Sequence, residues 1–279
     1  MASGIDRIAA RPAGCISLEK IQVMFSPHTF NVFLAVMAAI AVVVFVALYR
    51  VNAGYGKFYT EKWGPSCDNH LGWILMEAPV FVVMLLLWWF SDRRDDVVRL
   101  VFLVLFESHY FHRSFIFPMQ LRGHSRMPLS IVLMGMVFNT LNALMQGGWI
   151  FFVSPPERYP LSWLTSAPFL CGTAVFLAGM FINIHSDGII RRLRQPGDTA
   201  HYLPRGGMFR YVTSANYFGE FMEWVGFAIL TWSWAGAVFA LWTFANLAPR
   251  AARIHDLYRR EFPGEFGTTH TKRIIPFIY

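Results

Sequence analysis

Long runs of apolar residues alternate with short polar segments along most of the chain, and the lengths of these runs predict membrane-spanning helices. A helix that crosses a bilayer needs about 20 mostly apolar residues. Such runs predict spans at residues 30–49, 72–90, 97–117, 129–153 and 162–184. A further run, at 217–247, is too long for one span, so the segment 231–236 is expected to divide it into two helices. The pattern therefore predicts seven spans, with six as the alternative.

The distribution of basic residues favours seven spans and sets their orientation. With seven, one side of the membrane carries 16 Lys and Arg residues in its loops and C-terminal segment, and the other side carries 7. Six spans would move the C-terminal arginines across and remove most of this difference. Because Lys-rich and Arg-rich loops stay in the cytoplasm, we expect an N-terminus that faces out and a cytoplasmic C-terminus.

The predicted fold is thus an all-α integral membrane protein with a single polytopic domain over residues 1–279. It has an N-terminal segment at 1–29 and transmembrane helices within 30–247. A cytoplasmic loop is predicted at 185–216 and a cytoplasmic tail at 248–279.

The composition agrees with a membrane protein and limits the partners. The chain is 55% apolar and 15% charged, with a mean hydropathy of +0.41, whereas soluble domains carry about 25% charged residues. The net charge of +7 is expected to face membrane lipids or anionic ligands and not nucleic acid. The excess of Arg over Lys is typical of a GC-rich genome, so a bacterial inner membrane is preferred, with the endoplasmic reticulum membrane for a eukaryotic source. Nothing in the sequence indicates the oligomeric state.

Several charged residues fall inside predicted spans, where each charge costs about 2.5–3.5 kcal/mol on insertion scales. Glu77 lies in the second span, and residues 107–113 make the third span rich in ionisable groups. Asn216, Glu220 and Glu223 share one face of the sixth span, at i, i+4 and i+7. A buried structural ion pair is the alternative for any one of them, but the whole set favours a functional site.

A stripe of polar residues leads out of the fifth span at helical spacing, and it consists of Asn183, Asp187, Arg191 and Arg194. The planar guanidinium of arginine matches phosphate oxygens, so the stripe predicts a phosphorylated ligand. Contact between the arginines and anionic lipid is the alternative. That alternative gives no reason for Asn183 and Asp187.

Motifs for metals and for common nucleotide folds are missing from the sequence. The three cysteines share no metal-ligand spacing, and His109 and His112 are the only close pair among nine histidines. We therefore predict no metal site. No Rossmann or Walker glycine loop occurs, so a nucleotide would be held in another way.

Four motifs together resemble the steroid 5α-reductase family (3-oxo-5α-steroid 4-dehydrogenase). They are HYFHR at 109–113, NIHSD at 183–187, ANYFGE at 215–220 and IPFIY at 275–279, and the resemblance runs from about residue 54 to the C-terminus. It implies seven transmembrane helices and NADPH-dependent reduction of the Δ4 double bond of a 3-oxo steroid to a 5α-dihydro product. Hydride would reach C5 and a proton C4.

The resemblance also implies roles for individual residues. Glu77 and Tyr110 match the catalytic pair that grips the 3-keto oxygen. Met76 precedes Glu77 and cannot hydrogen-bond through its side chain, so the carboxyl needs support from elsewhere. The cofactor-binding residues would be Arg122, Arg126, Asn183, Asp187, Arg191, Arg194, Asn216, Glu220, Arg250, His255 and Tyr258. The steroid, entering from the bilayer, would contact Tyr55, Trp73, Phe138 and Trp242.

Three alternatives stay open from the sequence. A related membrane reductase could act on enoyl lipids, and the C-terminal half also broadly resembles membrane methyltransferases that use S-adenosylmethionine. The third alternative is a sterol-binding membrane protein or transporter without catalysis. The sequence does not choose between testosterone, progesterone, another 3-oxo steroid and a non-steroid enone.

Overall fold

The computed structural model describes residues 25–51, 53–122, 125–193, 195, 200–266 and 271–279, and most of them lie in helices. In chain order these are α1 (Pro27–Arg50), α2 (Asn69–Trp89), α3 (Val97–Phe111), α4 (Phe117–Gln120), α5 (Leu129–Gly148), α6 (Ala167–Arg192), α7 (Ala215–Thr231), α8 (Trp234–Glu261) and α9 (Pro263–Phe266). Two π-helical turns extend them, His112–Ile116 between α3 and α4 and Trp149–Val153 after α5. Short 3₁₀ helices lie at Gly56–Phe58, Glu61–Trp63, Pro156–Arg158, Leu161–Thr165 and Gly207–Arg210.

A small antiparallel sheet joins two connections on one side of the helices. It pairs β1 (Ser66–Asp68) with β2 (Arg126–Pro128), and Cys67 lies opposite Met127. The Asp68 carboxylate then caps α2 by accepting hydrogen bonds from the backbone N–H groups of His70 and Leu71. The sheet therefore fixes where α2 and α5 begin.

Four helical segments in the described part of the chain are long and apolar enough to cross a membrane. They are Pro27–Arg50, Asn69–Trp89, Leu129–Val153 and Ala167–Arg192. The helices α3 and α7 have only 15 and 17 residues, and α8 carries its charged residues in its C-terminal half. The structure supports a largely helical membrane protein, while the number of seven spans stays a prediction.

The predicted division of the long apolar run at 217–247 is confirmed. Helix α7 ends at Thr231 and α8 begins at Trp234. Between them Trp232 adopts a left-handed conformation with φ 44°, and the Ser233 hydroxyl accepts a hydrogen bond from the backbone N–H of Gly236. The left-handed residue ends α7, and the Ser233 N-cap begins α8, so the long apolar run forms two helices.

Helix α6 does not coincide with the predicted fifth span, 162–184. Residues Leu161–Thr165 form a 3₁₀ helix, and the Ser166 side chain caps α6, which starts at Ala167. At the other end α6 continues to Arg192. The helix thus continues into the connection predicted at 185–216, as the helical spacing of Asn183, Asp187 and Arg191 indicated, because loss of apolarity marks the end of a span but not the end of a helix.

Helices α6 and α7 touch through their backbones at four glycines. They are Gly172 and Gly179 on α6 and Gly219 and Gly226 on α7, spaced seven residues apart on each helix. A Cβ atom added at any of them would lie 2.3–2.4 Å from a backbone nitrogen of the facing helix. Small residues permit this close approach, which sets the polar ends of α6 and α7 side by side.

The main apolar core extends across most of the long helices, and part of it lies where α3, α6 and α7 meet. Phe106, Phe176, Trp224 and Phe227 are all almost fully buried. The Trp224 ring centroid lies 5.6 Å from that of Phe106 and 6.4 Å from that of Phe176. Aromatic packing of this kind immobilises Trp224, which also borders the cavity described below.

Arg99, a charged residue near the start of α3, has a structural role. Its Nε donates to the carbonyl of Ile150 at 2.8 Å, its Nη2 donates to the carbonyl of Pro155 at 3.1 Å, and it forms an ion pair with Asp96. Arg99 thereby supplies hydrogen-bond donors to backbone carbonyls in and just after the π-helical turn at Trp149–Val153. A buried arginine with this many partners needs no ligand to account for it.

Candidate active site

One large cavity of about 770 Å³ opens among the helices and the loops at their ends. Its volume lies within the range of small-molecule sites, roughly 300–1,000 Å³. Residues of α2, α3, α5 and α8 supply aromatic rings, amides and a carboxyl, among them Trp73, Glu77, Tyr110, Phe138, Asn139 and Trp242. Basic groups come from the connections between helices, from the end of α6 and from the C-terminal half of α8, among them Lys57, Arg122, Arg126, Arg191 and Arg250.

The Glu77 carboxyl is held from α5. The Nδ2 atom of Asn139 lies 3.1 Å from Glu77 Oε2 and also donates to the backbone carbonyl of Met76 at 2.7 Å. Asn139 therefore provides the support that the Met76 side chain cannot. Glu77 lies within the membrane-spanning part of α2, so this amide fixes a carboxyl where water is scarce.

Tyr110 is held by Asn142, which lies one turn after Asn139 on α5. The Nδ2 atom of Asn142 donates to the Tyr110 hydroxyl oxygen at 2.8 Å, and both residues are buried. An oxygen that accepts a hydrogen bond still has its own O–H to donate. The arrangement therefore directs the phenol proton to a group in the cavity that Tyr110 borders.

A histidine and a glutamate form a buried pair next to Tyr110. His109 Nδ1 lies 2.9 Å from Glu223 Oε1, and their side chains are 5% and 0% exposed. The His109 ring packs against the rings of Tyr110 and Trp224, with centroid distances of 4.9 and 4.7 Å. His109 borders the cavity, whereas Glu223 lies behind it.

The polar ends of α6 and α7 meet at Asp187. Asn216 Nδ2 donates to Asp187 Oδ1 at 2.9 Å, and Asn183 Nδ2 donates to the backbone carbonyl of Asn216 at the same distance. Arg113 Nη1 lies 3.7 Å from Asp187 Oδ2. That Oδ2 atom is buried and has no hydrogen-bond partner among the described residues, so it is available to a ligand donor.

Arg113 connects the two parts of the cavity. It belongs to the π-helical turn His112–Ile116, and its guanidinium lies 4.8 Å from the ring centroid of Trp73 and 4.6 Å from that of Phe117. Stacking on two rings leaves its edge available to carboxylates such as Asp187. π-helical turns frequently occur at functional sites because they shift the side-chain register.

Two basic side chains that border the cavity are held by tyrosines. The Arg250 guanidinium lies 3.9 Å from the ring centroid of Tyr55 and donates from Nε to the Tyr217 hydroxyl at 2.9 Å. Lys57 Nζ lies 2.6 Å from the Tyr258 hydroxyl. These contacts with tyrosine rings and hydroxyls order two cations that border the cavity, which suits an anionic ligand.

Fourteen of the residues singled out from the sequence border this cavity. They are Tyr55, Trp73, Glu77, Tyr110, Arg122, Arg126, Phe138, Asp187, Arg191, Asn216, Glu220, Trp242, Arg250 and Tyr258. Asn183 and His255 do not border it, and Arg194 lies outside the described residues. Asn183 instead holds the backbone of Asn216, as given above.

His255 does not border the cavity but forms a hydrogen bond with Thr213, which does. Its Nδ1 lies 2.8 Å from the hydroxyl of Thr213, which borders the cavity. Burial, together with the positive charge of Arg273, lowers the pKa of His255 below its usual value, so the ring is neutral at pH 7. His255 is thus a hydrogen-bonding residue and not a cation for phosphate.

Sequence reasoning missed three residues that the structure brings to the site, and it singled out a fourth, Arg113, only as an ionisable residue inside a span. The three are Lys57, Asn139 and Asn142. Asn139 and Asn142 carried a usable signal, because two amides three residues apart interrupt the apolar pattern of the span at 129–153. Lys57 carried none, since a lysine in a polar loop is ordinary.

Comparisons with known proteins agree on one family. The sequence pattern of the family described as 3-oxo-5-alpha-steroid 4-dehydrogenase matches residues 125–279. The chain is 38% identical over 247 residues to human 3-oxo-5-alpha-steroid 4-dehydrogenase 1, covering 86% of this chain and 92% of that protein. It is 39% identical over 245 residues to the mouse protein of the same name, covering 86% and 92%. It is 37% identical over 241 residues to steroid 5-alpha-reductase DET2 of Arabidopsis thaliana, covering 84% and 90%.

Proposed function

The chain belongs to the 3-oxo-5-alpha-steroid 4-dehydrogenase family, and from this we propose that it reduces the Δ4 double bond of a 3-oxo steroid to the 5α-dihydro product with NADPH. The observation that carries the proposal is the pair of Glu77 and Tyr110. Both border one cavity, and two amides of the same helix, Asn139 and Asn142, hold them.

The pair would bind the 3-keto oxygen of the steroid. As hydride reaches C5, negative charge develops on that oxygen, which becomes an enolate. A fixed O–H donor is most effective against such charge in a site that excludes water. Tyr110 supplies this donor because its oxygen already accepts from Asn142, and the Glu77 carboxyl orients the keto oxygen or shares a proton with it.

The family is associated with a nicotinamide cofactor, and we assign NADPH to the basic part of the cavity. The chemistry that this cofactor supplies when bound is hydride transfer. Its phosphates would be held by basic residues that border the cavity, namely Arg122, Arg126, Arg191, Arg250 and Lys57. The Asp187 Oδ2 atom is buried and makes no hydrogen bond with the described residues, so it would accept one from a hydroxyl or amide of the cofactor. Three further cavity residues would contact the cofactor, namely Asn216, Glu220 and Tyr258. Two residues outside the cavity would hold its lining in place, Asn183 through Asn216 and His255 through Thr213.

The steroid would lie against the aromatic side chains in the middle of the helices. The Phe138 and Trp242 rings have centroids 4.8 Å apart, and Trp242 Nε1 donates to the carbonyl of Met37 at 2.8 Å. Trp73 and Tyr55 border the same cavity. Their rings offer a flat apolar surface to a fused-ring substrate that arrives through the membrane lipids.

We further propose seven transmembrane helices, with the N-terminus outside and the C-terminus in the cytoplasm, where NADPH is available. The cavity opening among the positively charged helix ends supports this orientation. The membrane would be a bacterial inner membrane, or the endoplasmic reticulum in a eukaryotic source. A reporter enzyme that is active only in the cytoplasm should be active when fused to the C-terminus and inactive at the N-terminus; the reverse pattern would exclude this topology.

Oxidation of NADPH by the purified protein in detergent tests the proposed activity. With testosterone or progesterone present, we expect steroid-dependent loss of NADPH absorbance and a 5α-dihydro product identified by mass and stereochemistry. Turnover of enoyl thioesters but not steroids would favour the enoyl-lipid reductase. Binding of S-adenosylmethionine in place of NADPH would favour the methyltransferase, and sterol binding without oxidation would favour a non-enzymatic protein.

Replacing Asp187 with asparagine is expected to weaken NADPH binding about tenfold or more, since a hydrogen bond to a charged group contributes about 1.5–3 kcal/mol. Fluorescence titration of NADPH measures this loss. Asp256→Asn is the matched control, because Asp256 is exposed on α8 and does not border the cavity. Equal affinities of the Asp187→Asn variant and the wild-type protein would remove Asp187 from the cofactor site.

A further inference from the structure

The buried pair of His109 and Glu223 has no part in gripping the ketone or holding the cofactor as proposed above. Its geometry nevertheless places a titratable ring beside Tyr110, with 4.9 Å between the two ring centroids. In a 3-oxo steroid, C4 is only two bonds from the keto oxygen. A ring that borders the cavity next to the keto-binding hydroxyl is therefore near the carbon that must receive a proton.

The hydrogen bonding of this pair is incomplete, which is costly for a purely structural contact. His109 uses Nδ1 to contact Glu223 Oε1, and its Nε2 makes no hydrogen bond to any part of the chain that the structure describes. Glu223 Oε2 is buried and equally without a partner within the described ranges. Leaving a buried carboxylate oxygen without a hydrogen bond is unfavourable, and a role in proton transfer explains why Glu223 Oε2 has none.

The carboxylate behind the ring resembles the orienting group of a general acid. Bonding to Nδ1 fixes the ring and leaves Nε2 for the cavity, which the ring borders. The ring also packs edge-on against Trp224 and Tyr110, whose own ring centroids lie 5.5 Å apart, and these contacts restrict its rotation. Such a carboxylate–histidine pair can hold a proton and release it at a defined atom.

We propose that His109, oriented by Glu223, is the acid that protonates C4 of the steroid. This inference rests on the proposed reductase function, because the enolate exists only after hydride has reached C5. The His109–Glu223 pair supplies the proton, and Tyr110 keeps its hydroxyl proton, which it donates in a hydrogen bond to the steroid oxygen. His109 is thus a catalytic residue and Glu223 a positioning residue that also shares the mobile proton.

The step balances without a further reactant. The electrons of the C3–C4 double bond of the enolate form the new C4–H bond, and the C3 carbonyl re-forms from the oxygen lone pair. The Nε2–H bond of His109 breaks and its electron pair stays on the nitrogen. Nδ1 keeps or takes the proton shared with Glu223, so the negative charge of the enolate ends on the Glu223 carboxylate. Water then returns one proton to the pair.

Kinetics of His109→Gln, Glu223→Gln and His112→Gln in the full-length protein test this assignment. His112 lies three residues from His109, is half-buried and does not border the cavity, so it is the matched control. Each variant is assayed with testosterone or progesterone in H₂O and D₂O, with NADPH carrying hydrogen or deuterium at the transferred position. Fluorescence titration gives the NADPH affinity of each one.

For His109→Gln we expect kcat to fall about 10²-fold or more while KM for steroid and the NADPH affinity stay within about threefold. Protonation then limits turnover, so the solvent isotope effect should rise and the isotope effect of deuterated NADPH should fall towards one. Glu223→Gln should change both isotope effects in the same directions with a smaller loss of kcat. His112→Gln should match the wild-type protein in every measurement.

An active His109→Gln variant with wild-type kcat would overturn the assignment. So would a slow variant whose two isotope effects are unchanged, because that result would mean that His109 only supports the fold. A wild-type protein that shows no steroid-dependent oxidation would instead contradict the proposed function itself, and these outcomes are distinct in one set of assays.

Discussion

Phenylalanine in place of Tyr110 is expected to leave a folded, NADPH-binding protein that reduces steroid about 10²–10³-fold more slowly, the loss typical of removing one donor to a developing oxyanion. The substitution removes the hydroxyl and keeps the ring, so the packing with Phe106 and Trp224 is retained. The expected loss falls on kcat, because the charge on the keto oxygen is largest in the transition state. Initial rates at saturating NADPH, with product identified by mass, measure it.

Tyr159→Phe is the control that separates catalysis from the loss of any buried hydroxyl. Tyr159 is as buried as Tyr110, with exposures of 2% and 3%. Its hydroxyl donates to the carbonyl of Thr231 and accepts from Trp149, and the residue does not border the cavity. This variant should lose stability and keep its kcat. Wild-type turnover by Tyr110→Phe would exclude Tyr110 as the donor to the ketone.

The apolar runs predicted which segments are helical, but they did not predict where a helix ends once its residues become polar. The division of 217–247 was readable because polar and small residues interrupt an apolar run that is too long for one span. The ends of α6 were less clear, since the spacing of Asp187 and Arg191 indicates that the helix continues past the apolar run but does not mark the residue where it ends. Apolarity reports the environment of a residue, and only capping or a chain break reports the end of a helix.

The site could be predicted in its residue types but not in its pairings. The polar residues inside the spans, such as Glu77 and Glu223, were visible because charge is costly there. Their partners were not, since Asn139 and His109 reach them only after distant helices have packed. A single sequence carries no information on contacts between residues 114 positions apart, as His109 and Glu223 are.

Alanine in place of Gly179 is expected to destabilise the protein by about 3 kcal/mol, the upper part of the range for overpacking a tight contact. The added Cβ would lie 2.4 Å from the backbone nitrogen of Glu223 and 2.6 Å from the carbonyl oxygen of Gly219. Backbone atoms of α7 cannot move aside as a flexible side chain can, so α6 and α7 must separate. For a chain of this length, about 3 kcal/mol corresponds to a Tm lower by roughly 6 °C or more.

Gly264→Ala is the matched control, because a Cβ atom there would meet nothing within 4 Å. Thermal unfolding in detergent should give this variant the wild-type Tm. The Gly179→Ala variant should also bind NADPH more weakly below its Tm, since separating α6 from α7 moves Asp187 away from Asn216, whose amide holds it at 2.9 Å. An unchanged Tm together with unchanged NADPH affinity would mean that the two helices do not need this close contact, and the glycine spacing would then have another cause.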